Sequence, residues 1–589
     1  MESLTEYNPL ERVSLPLLGN VHCSGLILVV GPNSSGKSQL LQDLYQKICG
    51  EPRNLVVASE IQIKQMDYQP FMGYLENEGY FETYEDDNGT QLWRPLKTYV
   101  GSGQPVNQIQ PQQAQQWHSD HRNYDSKAKR RSEFLNYFGR LLVTGLFLDR
   151  RLTAMNQVGM IDFHTASPQQ ELHALYLDDE ARGRLFDEML TSFGKAVWLD
   201  SSRGTGICLR VSDEGVSPTA EERLSPKKMA TYRQIESEGD GLKSYVSTCV
   251  ALILGRRPVC LIDEPEMCLH PPQAYNLGRF IGRNGTDPKT VTFVSTHSSQ
   301  VLRGVVQTTK EIQIIRMSRQ QGAFEAHLVP AEVLTEALAK PTVRAESVLD
   351  GIFAQSVVVV EADGDRLVYQ TVWETLALEL RLDVHLATVG GVGGIADTCK
   401  LYRTLKIPVA VIADLDMISD PRRLRKVLDI LVPEEAVDEM INLSELVMQR
   451  IKAMPPNVNP VTLRGQLKDL ADSDVDWLEG SDIQVRQQLN RIANQLDRLR
   501  RLKRGGVGAF PSDISVNLQD LVNKLATHGL FLVPVGELEG WLADANIEES
   551  KENKWAWANA ASYVIQQKGP QPGGVWDFVR SVGQFLATR

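Results

Sequence analysis

Three apolar runs in the C-terminal half of the chain end in acidic residues. Residues 357–360 are four valines, and residues 409–413 and 531–535 are similarly apolar, which is typical of buried strands. The acids that follow the runs are Glu361, Asp363 and Asp365, then Asp414 and Asp416, then Glu537 and Glu539. Because ligands bind outside the carboxyl ends of the strands in an open α/β sheet, we expect these carboxylates to converge. Divalent cations relieve the repulsion between clustered carboxylates, which predicts a magnesium site that handles phosphate esters.

The segments between these runs predict a parallel sheet. Residues 366–380 place apolar side chains at helical spacing, and residues 383–389 form another apolar run. The order strand, helix, strand, helix, strand favours parallel pairing within an α/β fold. A glycine-rich turn at residues 390–395 opens the second helix. We interpret this turn as close packing of strand on helix, with contact to a phosphate as the alternative.

A short apolar run near the N-terminus leads into a glycine-rich loop. Residues 26–30 precede GPNSSGKS, residues 31–38, and helical periodicity follows, which is the context that a P-loop requires. The loop amides and the helix N-terminus would cradle the phosphates of a nucleotide. The predicted nucleotide-binding residues of this loop are Asn33, Ser34, Ser35, Gly36, Lys37 and Ser38. Lys37 would reach the terminal phosphates, and the Ser38 hydroxyl would bind magnesium.

Residues suited to the same chemistry follow the P-loop at the ends of later elements. Gly239 and Gly241 open a helix, which suggests a second helix N-terminus in contact with phosphate. The segment LIDEPE ends a strand at Asp263, which would hold the magnesium shell, while Glu264 would polarise the attacking water. His297 ends the next strand and is placed to sense the γ-phosphate.

Three polar features each allow two interpretations. Gln169, preferred over Gln170, would bridge magnesium and the attacking water, or it is a glutamine with no such role. The basic residues within 127–131 would contact DNA, or they are a solvated helix start. The basic run within 498–504 would guide a nucleic-acid backbone beside the acids, or it is the solvated face of an amphipathic helix.

Length and composition narrow the class of protein. The chain has 589 residues, enough for more than one domain, and its net charge of −12 argues against a nonspecific polycation. Its seven cysteines form no CxxC pair, so the sequence supports neither a disulfide framework nor a structural zinc site. A reducing, cytoplasmic setting is the simplest interpretation. No apolar run reaches about 18 residues, so we expect no membrane span and no membrane partner.

From about residue 26 to residue 329 the chain resembles the ABC-type ATPase head, the class that includes SMC-like and RecF-like proteins. The resemblance rests on the P-loop, GDGLKS, LIDEPE and the strand-terminal histidine, in that order. It implies ATP and magnesium as cofactors. It also implies a homodimer or higher even oligomer, because the signature segment contacts the nucleotide of a second head. Asp240 stands where the usual signature has serine, and Lys243 stands near the usual glutamine. No long heptad region lies within the head, so a long-armed SMC-type organiser is not expected.

The second half resembles a Toprim domain, and the chain as a whole is similar to the OLD (overcoming lysogenisation defect) family. That family includes Gabija-type and retron-associated defence effectors. VEADGD matches the family's first motif, with Ala362 in place of the usual glycine, and Asp363 is an extra acid that is either a ligand or a turn residue. The resemblance implies metal ligands at Glu361, Asp365, Asp414, Asp416 and Glu539, the last preferred over Glu537. It also implies a lysine near the scissile phosphate, for which we prefer Lys554 to Lys551.

These observations predict an α/β protein with two domains. Residues 1–345 would form the ATPase, with an irregular insertion at about 61–135, and residues 346–589 the Toprim domain, with a helical insertion at about 418–525. The predicted function is an ATP-regulated endonuclease that cleaves nucleic-acid phosphodiesters with the help of two magnesium or manganese ions. The preferred substrate is DNA. An anti-phage role comes from the resemblance alone, which also allows an operon-encoded partner protein or a retron nucleic acid. The alternatives are a Toprim nuclease that acts on RNA and a non-catalytic, ATP-gated assembly or sensor subunit.

Overall fold

A computed structural model divides the chain into two compact units, Met1–Glu336 and Ala337–Arg589. The residues that it describes are 7–51, 53–65, 67–79, 81–86, 88–95, 108–122, 132–163, 168, 170–254, 257–287, 289–330, 332, 334–335, 340, 346–390, 392–455, 459–472, 481–496, 500–545, 547 and 553–589. Gln169, Lys551 and the basic residues within 127–131 lie outside these ranges. The boundary placed between residues 345 and 346 stays a prediction.

The first unit is built around a largely parallel sheet. Its strands are β1 (Leu10–Leu15), β2 (Gly19–Val21), β3 (Gly25–Val30), β4 (Glu60–Ile63), β5 (Phe81–Glu85), β6 (Gln91–Pro95), β7 (Val143–Leu146), β8 (Val158–Gly159), β9 (Ala196–Asp200), β10 (Gly206–Ser212), β11 (Arg233–Gln234), β12 (Val259–Asp263), β13 (Val291–Ser295), β14 (Ile312–Gln320) and β15 (Ala323–Val329). The central sheet has the order β15-β14-β3-β13-β12-β7, and only β15 pairs antiparallel. Smaller antiparallel sheets are β2-β1-β4, β5-β6 and the group around β10.

The register of the central sheet brings three strand ends together. Asp263 pairs with Ser295, and Ser295 pairs with Val29 across neighbouring parallel strands. Strands β3 and β13 are almost entirely buried, as expected for a parallel sheet covered on both faces. The P-loop, LIDEPE and His297 therefore emerge at one edge of the sheet.

Helices cover the central sheet and form the rest of the first unit. They are Lys37–Ile48, Tyr68–Asn77, Pro111–Arg122, Arg140–Leu142, Leu148–Thr153, Glu171–Leu177, Asp179–Phe193, Ala220–Arg223, Pro226–Met229, Asp240–Ile253, Pro271–Asn284 and Ser299–Thr308, with a π-helix at Leu135–Gly139. Within the predicted insertion, Phe71 and Phe81 pack in the same buried cluster as Ile27 of the central sheet. The insertion therefore shares the core of the ATPase unit.

The second unit contains a four-stranded parallel sheet. Its strands are β16 (Ser356–Val360), β17 (Val384–Thr388), β18 (Val409–Ala413) and β19 (Leu530–Leu532), in the order β17-β16-β18-β19. The third apolar run, residues 531–535, was expected to be a strand, and only its first two residues are part of one. Strand β19 ends at Leu532 because Pro534 lacks an amide donor and Gly536 has a φ of 102°.

The helices of the second unit pack on the sheet and build the insertion. They are Glu346–Asp350, Asp363–Thr375, Ala377–Leu380, Ile395–Thr404, Pro421–Leu431, Glu434–Ala453, Pro460–Ala471, Ser481–Leu496, Arg500–Gly505, Ser512–Thr527, Lys554–Lys568 and Gly574–Ala587. Val358 of β16, Trp557 and Trp576 share one buried cluster, so the amphipathic C-terminal helix does pack on this unit. None of the described helices has the length and apolarity that a membrane span requires.

The insertion begins and ends with recognisable local signals. Asp420 caps the helix Pro421–Leu431 by accepting hydrogen bonds from the amides of Arg422 and Arg423, both at 3.2 Å. At the other end, Gly506 and Gly536 both have positive φ. A Cβ on Gly536 would overlap the Lys503 carbonyl oxygen, and one on Gly506 would overlap the carbonyl oxygen of Pro534. The insertion therefore returns to the sheet through a backbone contact that only glycine allows.

Candidate functional site

The P-loop of the first unit forms a turn with several left-handed residues. Gly31, Ser34 and Gly36 have φ values of 144°, 61° and 93°, and Gly36 caps the helix Lys37–Ile48. A Cβ on Gly31 would overlap the carbonyl oxygen of Met317, so the loop lies close against the neighbouring strand. Asn33 and Ser34 are exposed. The buried Ser35 hydroxyl has no hydrogen-bond partner among the described residues, as expected of a group that awaits a phosphate.

Lys37 is held inside the P-loop rather than extended into solvent. Its side chain is buried, and its ammonium group donates to the carbonyl oxygens of Gly31 and Pro32, both at 2.9 Å. Burial lowers the pKa of Lys37, while the charges of Glu264 and its neighbouring acids oppose that shift. The loop thus offers a phosphate one buried cation, the orphaned Ser35 hydroxyl and a helix N-terminus, and these residues fit a nucleotide triphosphate.

Asp263 and Glu264 are fixed by the end of the neighbouring strand. The Ser295 hydroxyl donates to Asp263 Oδ1 at 2.5 Å, and the Glu264 amide donates to Ser295 Oγ at 3.1 Å. Glu264 has a positive φ of 45°, which is strained for a residue other than glycine. Strain of this kind persists where surrounding contacts enforce it, and here the backbone turns the Glu264 side chain towards His297.

His297 lies between two glutamates. Its Nδ1 is 3.4 Å from Glu264 Oε1 and 3.3 Å from Glu266 Oε1. The hydrogen bond between His297 and Glu264 raises the pKa of His297 and lowers the pKa of Glu264. Burial raises the pKa of Glu266, whose Oε1 also accepts from the Thr296 hydroxyl and the His297 amide, both at 2.8 Å. Sequence reasoning missed Glu266, although it is the last residue of LIDEPE.

The predicted signature segment begins a helix beside this edge. Gly239 caps the helix Asp240–Ile253 and is exposed, and Lys243 pairs with Asp240 at 3.3 Å. A Cβ on Gly241 would overlap the Cys268 carbonyl oxygen, so glycine is required for the helix to approach the loop after LIDEPE. Because Gly239 is exposed, the N-terminus of this helix is open to contact with a phosphate group.

Arg151 connects the signature helix to the acids, and the sequence did not single it out. This fully buried guanidinium donates to the Ser244 hydroxyl at 2.9 Å, to the Leu146 carbonyl at 2.8 Å and to the Glu264 carbonyl at 2.9 Å. It also donates to the Asp263 carbonyl. Burial lowers its pKa, and the charge of Asp263 opposes that shift.

In the second unit, the acids predicted at the strand ends do converge. The Asp414 amide donates to Glu361 Oε1 at 3.4 Å, and the Ala362 amide donates to Asp365 Oδ2 at 3.0 Å. Glu539 follows β19 in a short 3₁₀ helix, Leu538–Leu542, and is buried. Asp363 behaves differently, because it is exposed, accepts from Thr388 Oγ1 at 3.2 Å and pairs with Arg366 at 3.5 Å. These contacts support its interpretation as a turn residue.

The converging acids are desolvated and repel each other. Burial raises the pKa of Glu361 to about 7, and Asp365 adds to the shift. Burial raises the pKa of Asp365 to about 6. Burial raises the pKa of Asp414 to about 8, with Glu361 and Asp365 as further causes. Such shifts mark a cluster whose charge needs a cation.

Two lysines border this acidic cluster. Lys503, at the end of the insertion, lies 3.4 Å from Asp416 Oδ2 and 3.7 Å from Asp414 Oδ2. Burial opposes its charge, yet the two aspartates together outweigh burial and raise the pKa of Lys503. Lys554 begins the helix Lys554–Lys568, and its charge opposes part of the rise that burial causes in the pKa of Asp365. The sequence placed the basic run within 498–504 beside the acids as one of two interpretations, but nothing local shows which of its residues reaches them.

The acidic cluster fits divalent metal by donor type and by charge. Its carboxylate oxygens are the ligands that Mg²⁺ and Mn²⁺ prefer, and desolvation together with the neighbouring acids raises the pKa of Glu361 and of Asp414. Within the described residues, however, no three His, Cys, Asp or Glu side chains lie close enough to hold a metal ion as they stand.

The glycine-rich turn after β17 does not have the expected packing role. A Cβ on Gly390 or Gly393 would meet no atom within 4 Å, so the interpretation as close packing was wrong at these two positions. Gly390 is instead required by its φ of 65°.

Comparisons with protein families match each of the two units to a different domain. The family described as "Overcoming lysogenization defect protein-like, TOPRIM domain" matches residues 352–416, and "AAA domain, putative AbiEii toxin, Type IV TA system" matches residues 212–303. These matches confirm the predicted fold class, an ATPase followed by a Toprim domain. A search of curated proteins found no match to this chain.

Solved structures similar to this chain include ATPase heads. One is an SMC head bound to the C-terminal winged-helix domain of ScpA, at 11% identity and a TM-score of 0.32, covering 55% of this chain and 99% of that one. Another is the SMC head domain from Thermotoga maritima, at 14% identity and a TM-score of 0.27, with coverage of 55% and 99%. Likenesses at these scores carry no argument about function.

Proposed function

We propose, from the premise that this chain is an ATPase–Toprim fusion of the OLD family, that it is an ATP-regulated, divalent-metal-dependent endonuclease. An ATPase domain with an OLD-like Toprim domain indicates an ATP-dependent function of the nuclease type. The observation that supports the proposal most directly is that Glu361, Asp365 and Asp414, all half-buried, converge at the carboxyl edge of a parallel sheet. DNA is the proposed substrate, and anti-phage defence is the proposed role.

The acidic edge would act by holding charge and shape around a phosphodiester. Divalent ions, when bound, would supply Lewis-acid polarisation of the scissile phosphate and a lowered pKa of water. Glu361, Asp365, Asp414, Asp416 and Glu539 would hold these ions. Lys554, whose charge already acts on Asp365, would balance the negative charge of the substrate. The ends of β16 and β18 position Glu361 and Asp414 beside each other, and the acids would have to move closer together to hold an ion.

The ATPase edge would regulate cleavage through a dimer of heads. ATP, when bound, would supply the phosphates that the P-loop and Ser38 receive, with Asp263 holding the magnesium shell. Glu264 would accept a proton from the attacking water, and its hydrogen bond to His297 keeps Glu264 ionised. The exposed N-terminus at Gly239 and Gly241 would contact the nucleotide of a second head.

The test is cleavage of plasmid, linear DNA and RNA with Mg²⁺ or Mn²⁺, in the presence and absence of ATP. Wild type would be compared with Asp414→Ala/Asp416→Ala, Lys37→Ala and Glu264→Gln. We expect cutting that the double aspartate variant loses. We expect Glu264→Gln to bind ATP but to hydrolyse it at least about a hundredfold more slowly, the scale of a lost general base. Glu435→Gln, an exposed acid of the insertion, is the matched control and should cut like wild type.

The outcomes separate the competing functions. Cutting of RNA alone would replace DNA as the substrate and keep the nuclease. Cutting that survives in the double aspartate variant would contradict the proposed site. No cutting under any condition, with or without the neighbouring operon products, would favour the ATP-gated assembly subunit. The Lys37→Ala variant shows whether nucleotide triggers or restrains cleavage.

A further inference from the structure

Two large aromatic side chains of the second unit are exposed on one helix. Trp555 is 55% exposed and Tyr563 is 64% exposed, although aromatic rings usually contribute their large area to a core or an interface. Both belong to the helix Lys554–Lys568, which buries its other tryptophan, Trp557. Because residues four apart are neighbours on a helix surface, positions 555, 559 and 563 share one side. The two rings therefore face solvent together, and packing within the unit does not explain them.

The same helix begins beside the acidic cluster. Gly364 immediately precedes Asp365 on the helix Asp363–Thr375. A Cβ on Gly364 would lie 3.6 Å from the Ala558 Cβ and 3.8 Å from the Lys554 carbonyl oxygen. The first turns of the aromatic helix therefore pack against the turn that carries Asp365. Trp555 directly follows Lys554, so the nearer ring lies on the helical turn that borders the acids.

The exposed side of the helix has the charge and the polar groups that a nucleic acid requires. None of its 15 residues is acidic, although the chain as a whole has a net charge of −12. Lys554 and Lys568 lie at its two ends, and the other exposed polar side chains are the amides of Asn559, Gln566 and Gln567. A surface without carboxylates does not repel phosphates, lysines attract them, and amides form hydrogen bonds with base edges.

The separation of the rings favours unpaired bases as their partner. Eight residues of α-helix place Trp555 and Tyr563 about 12 Å apart along the helix axis, which spans about three to four nucleotides of one strand. Aromatic side chains stack on bases in single strands, because every base offers a face that pairing and stacking in a duplex would cover. Asn559 lies between the two rings, so they do not form the continuous apolar patch that marks a protein interface.

We propose that Trp555 and Tyr563 form a stacking platform that holds single-stranded DNA beside the acidic cluster. Unpaired bases would stack on the two rings, Lys554 and Lys568 would attract the phosphates, and the strand would continue from Lys554 towards the acids. This inference rests on the proposed nuclease function and names its substrate class, which is DNA with a single-stranded stretch. The two rings bind the strand and take no part in hydrolysis.

The test measures binding of a single-stranded DNA of about 20 nucleotides and of the matching duplex by fluorescence anisotropy, on the full chain with Ca²⁺ as the divalent ion. We expect Trp555→Ala and Tyr563→Ala each to weaken single-strand binding at least about fivefold and duplex binding by less than about twofold. Trp555→Phe keeps a ring and should bind the single strand within about twofold of wild type. Val516→Ala removes an exposed apolar side chain from another helix of the same unit and should bind like wild type. Thermal unfolding verifies that each variant is folded.

Cross-linking gives a second, independent readout of where the strand lies. A single strand with 5-iodouracil in place of thymine, irradiated in the complex, should form cross-links to Trp555 or Tyr563 that peptide mass spectrometry identifies. Cross-links at other residues only would overturn the inference. Unchanged single-strand binding by both alanine variants, or equal weakening of single-strand and duplex binding, would also overturn it and leave the nuclease standing. A wild type that neither binds nor cuts DNA would instead remove the proposed function itself.

Discussion

Replacing Arg151 by methionine should destabilise the first unit and impair its ATPase. The guanidinium is fully buried and donates to the carbonyl oxygens of Leu146, Asp263 and Glu264 and to the Ser244 hydroxyl. Methionine keeps much of the side-chain volume but leaves two buried and two partly buried acceptors without their donor. The loss therefore reports the hydrogen bonds rather than a cavity.

The size of the effect follows from these contacts. Losing a buried charged partner with several hydrogen bonds costs about 3–5 kcal/mol. The first unit spans Met1–Glu336, and unfolding entropy near 60 °C is about 2.1 cal/mol/K per residue, so the melting temperature should fall by roughly 4–7 °C. ATP hydrolysis at a temperature where the variant stays folded should fall at least about tenfold, because small displacements of catalytic groups are costly.

The assay is thermal unfolding followed by circular dichroism, together with steady-state ATP hydrolysis. Arg203→Met is the control, since Arg203 lies in an exposed turn between β9 and β10. It should unfold within about 1 °C of wild type, as exposed substitutions do. If Arg151→Met also unfolds within about 1 °C of wild type, the hydrogen bonds described here do not stabilise this edge. If it is less stable but hydrolyses ATP normally, the link from Ser244 to Glu264 has no part in catalysis.

Two further predictions concern the folding of the two units. Gly536→Ala should lower the free energy of unfolding of the second unit by at least about 1–3 kcal/mol, because alanine is strained at a φ of 102° and its Cβ overlaps the Lys503 carbonyl oxygen. Gly390→Ala is the control and should cost less, because Gly390 has a φ of 65° but open space around it. Equal losses of unfolding free energy in urea titrations would contradict the role of the overlap. Burial first, and then the charge of His118, lower the pKa of His121 to about 4, below its unfolded value near 6.5. Its contribution to stability is therefore complete above about pH 6.5 and is lost as the pH falls towards 4. His121→Phe keeps the stacking on Phe134 but has no group that gains a proton in this range. Between pH 7 and pH 5 its free energy of unfolding should therefore fall by up to about 2 kcal/mol less than that of wild type. Equal falls in the two proteins, measured by urea titration, would refute this.

The parts of each site that the sequence predicted are those encoded locally. A strand of buried valines followed by acids, or a strand followed by GPNSSGKS, contains both the element and the chemistry within a few residues. Parallel pairing then brings such ends to one edge, so Asp263, Glu361 and Asp414 could be placed without a structure. The third run is a strand only as far as Leu532 because Pro534 interrupts it, and the sequence shows this proline.

The parts that the sequence did not predict depend on contacts between distant segments. Arg151 reaches four acceptors on three other stretches of chain, and nothing near it in the sequence marks it as different from Arg150. Lys503 lies in a run of basic residues that any solvated helix could carry. The ion pairs of Lys503 with Asp414 and Asp416 show which of those residues meets the acids. Long-range packing selects these side chains, and local periodicity does not encode it.

The two units place a lysine beside acids in different ways, and the difference bears on their ligands. Lys37 donates to carbonyl oxygens of its own loop, so its charge stays available for an incoming phosphate. Lys503 pairs instead with Asp414 and Asp416, so its charge is already engaged before any ligand arrives. Neutralising Lys37 should therefore weaken nucleotide binding directly. Neutralising Lys503 should instead change the concentration of divalent metal that the acids of the second unit need. A chain in which both substitutions lowered only nucleotide affinity would contradict this distinction.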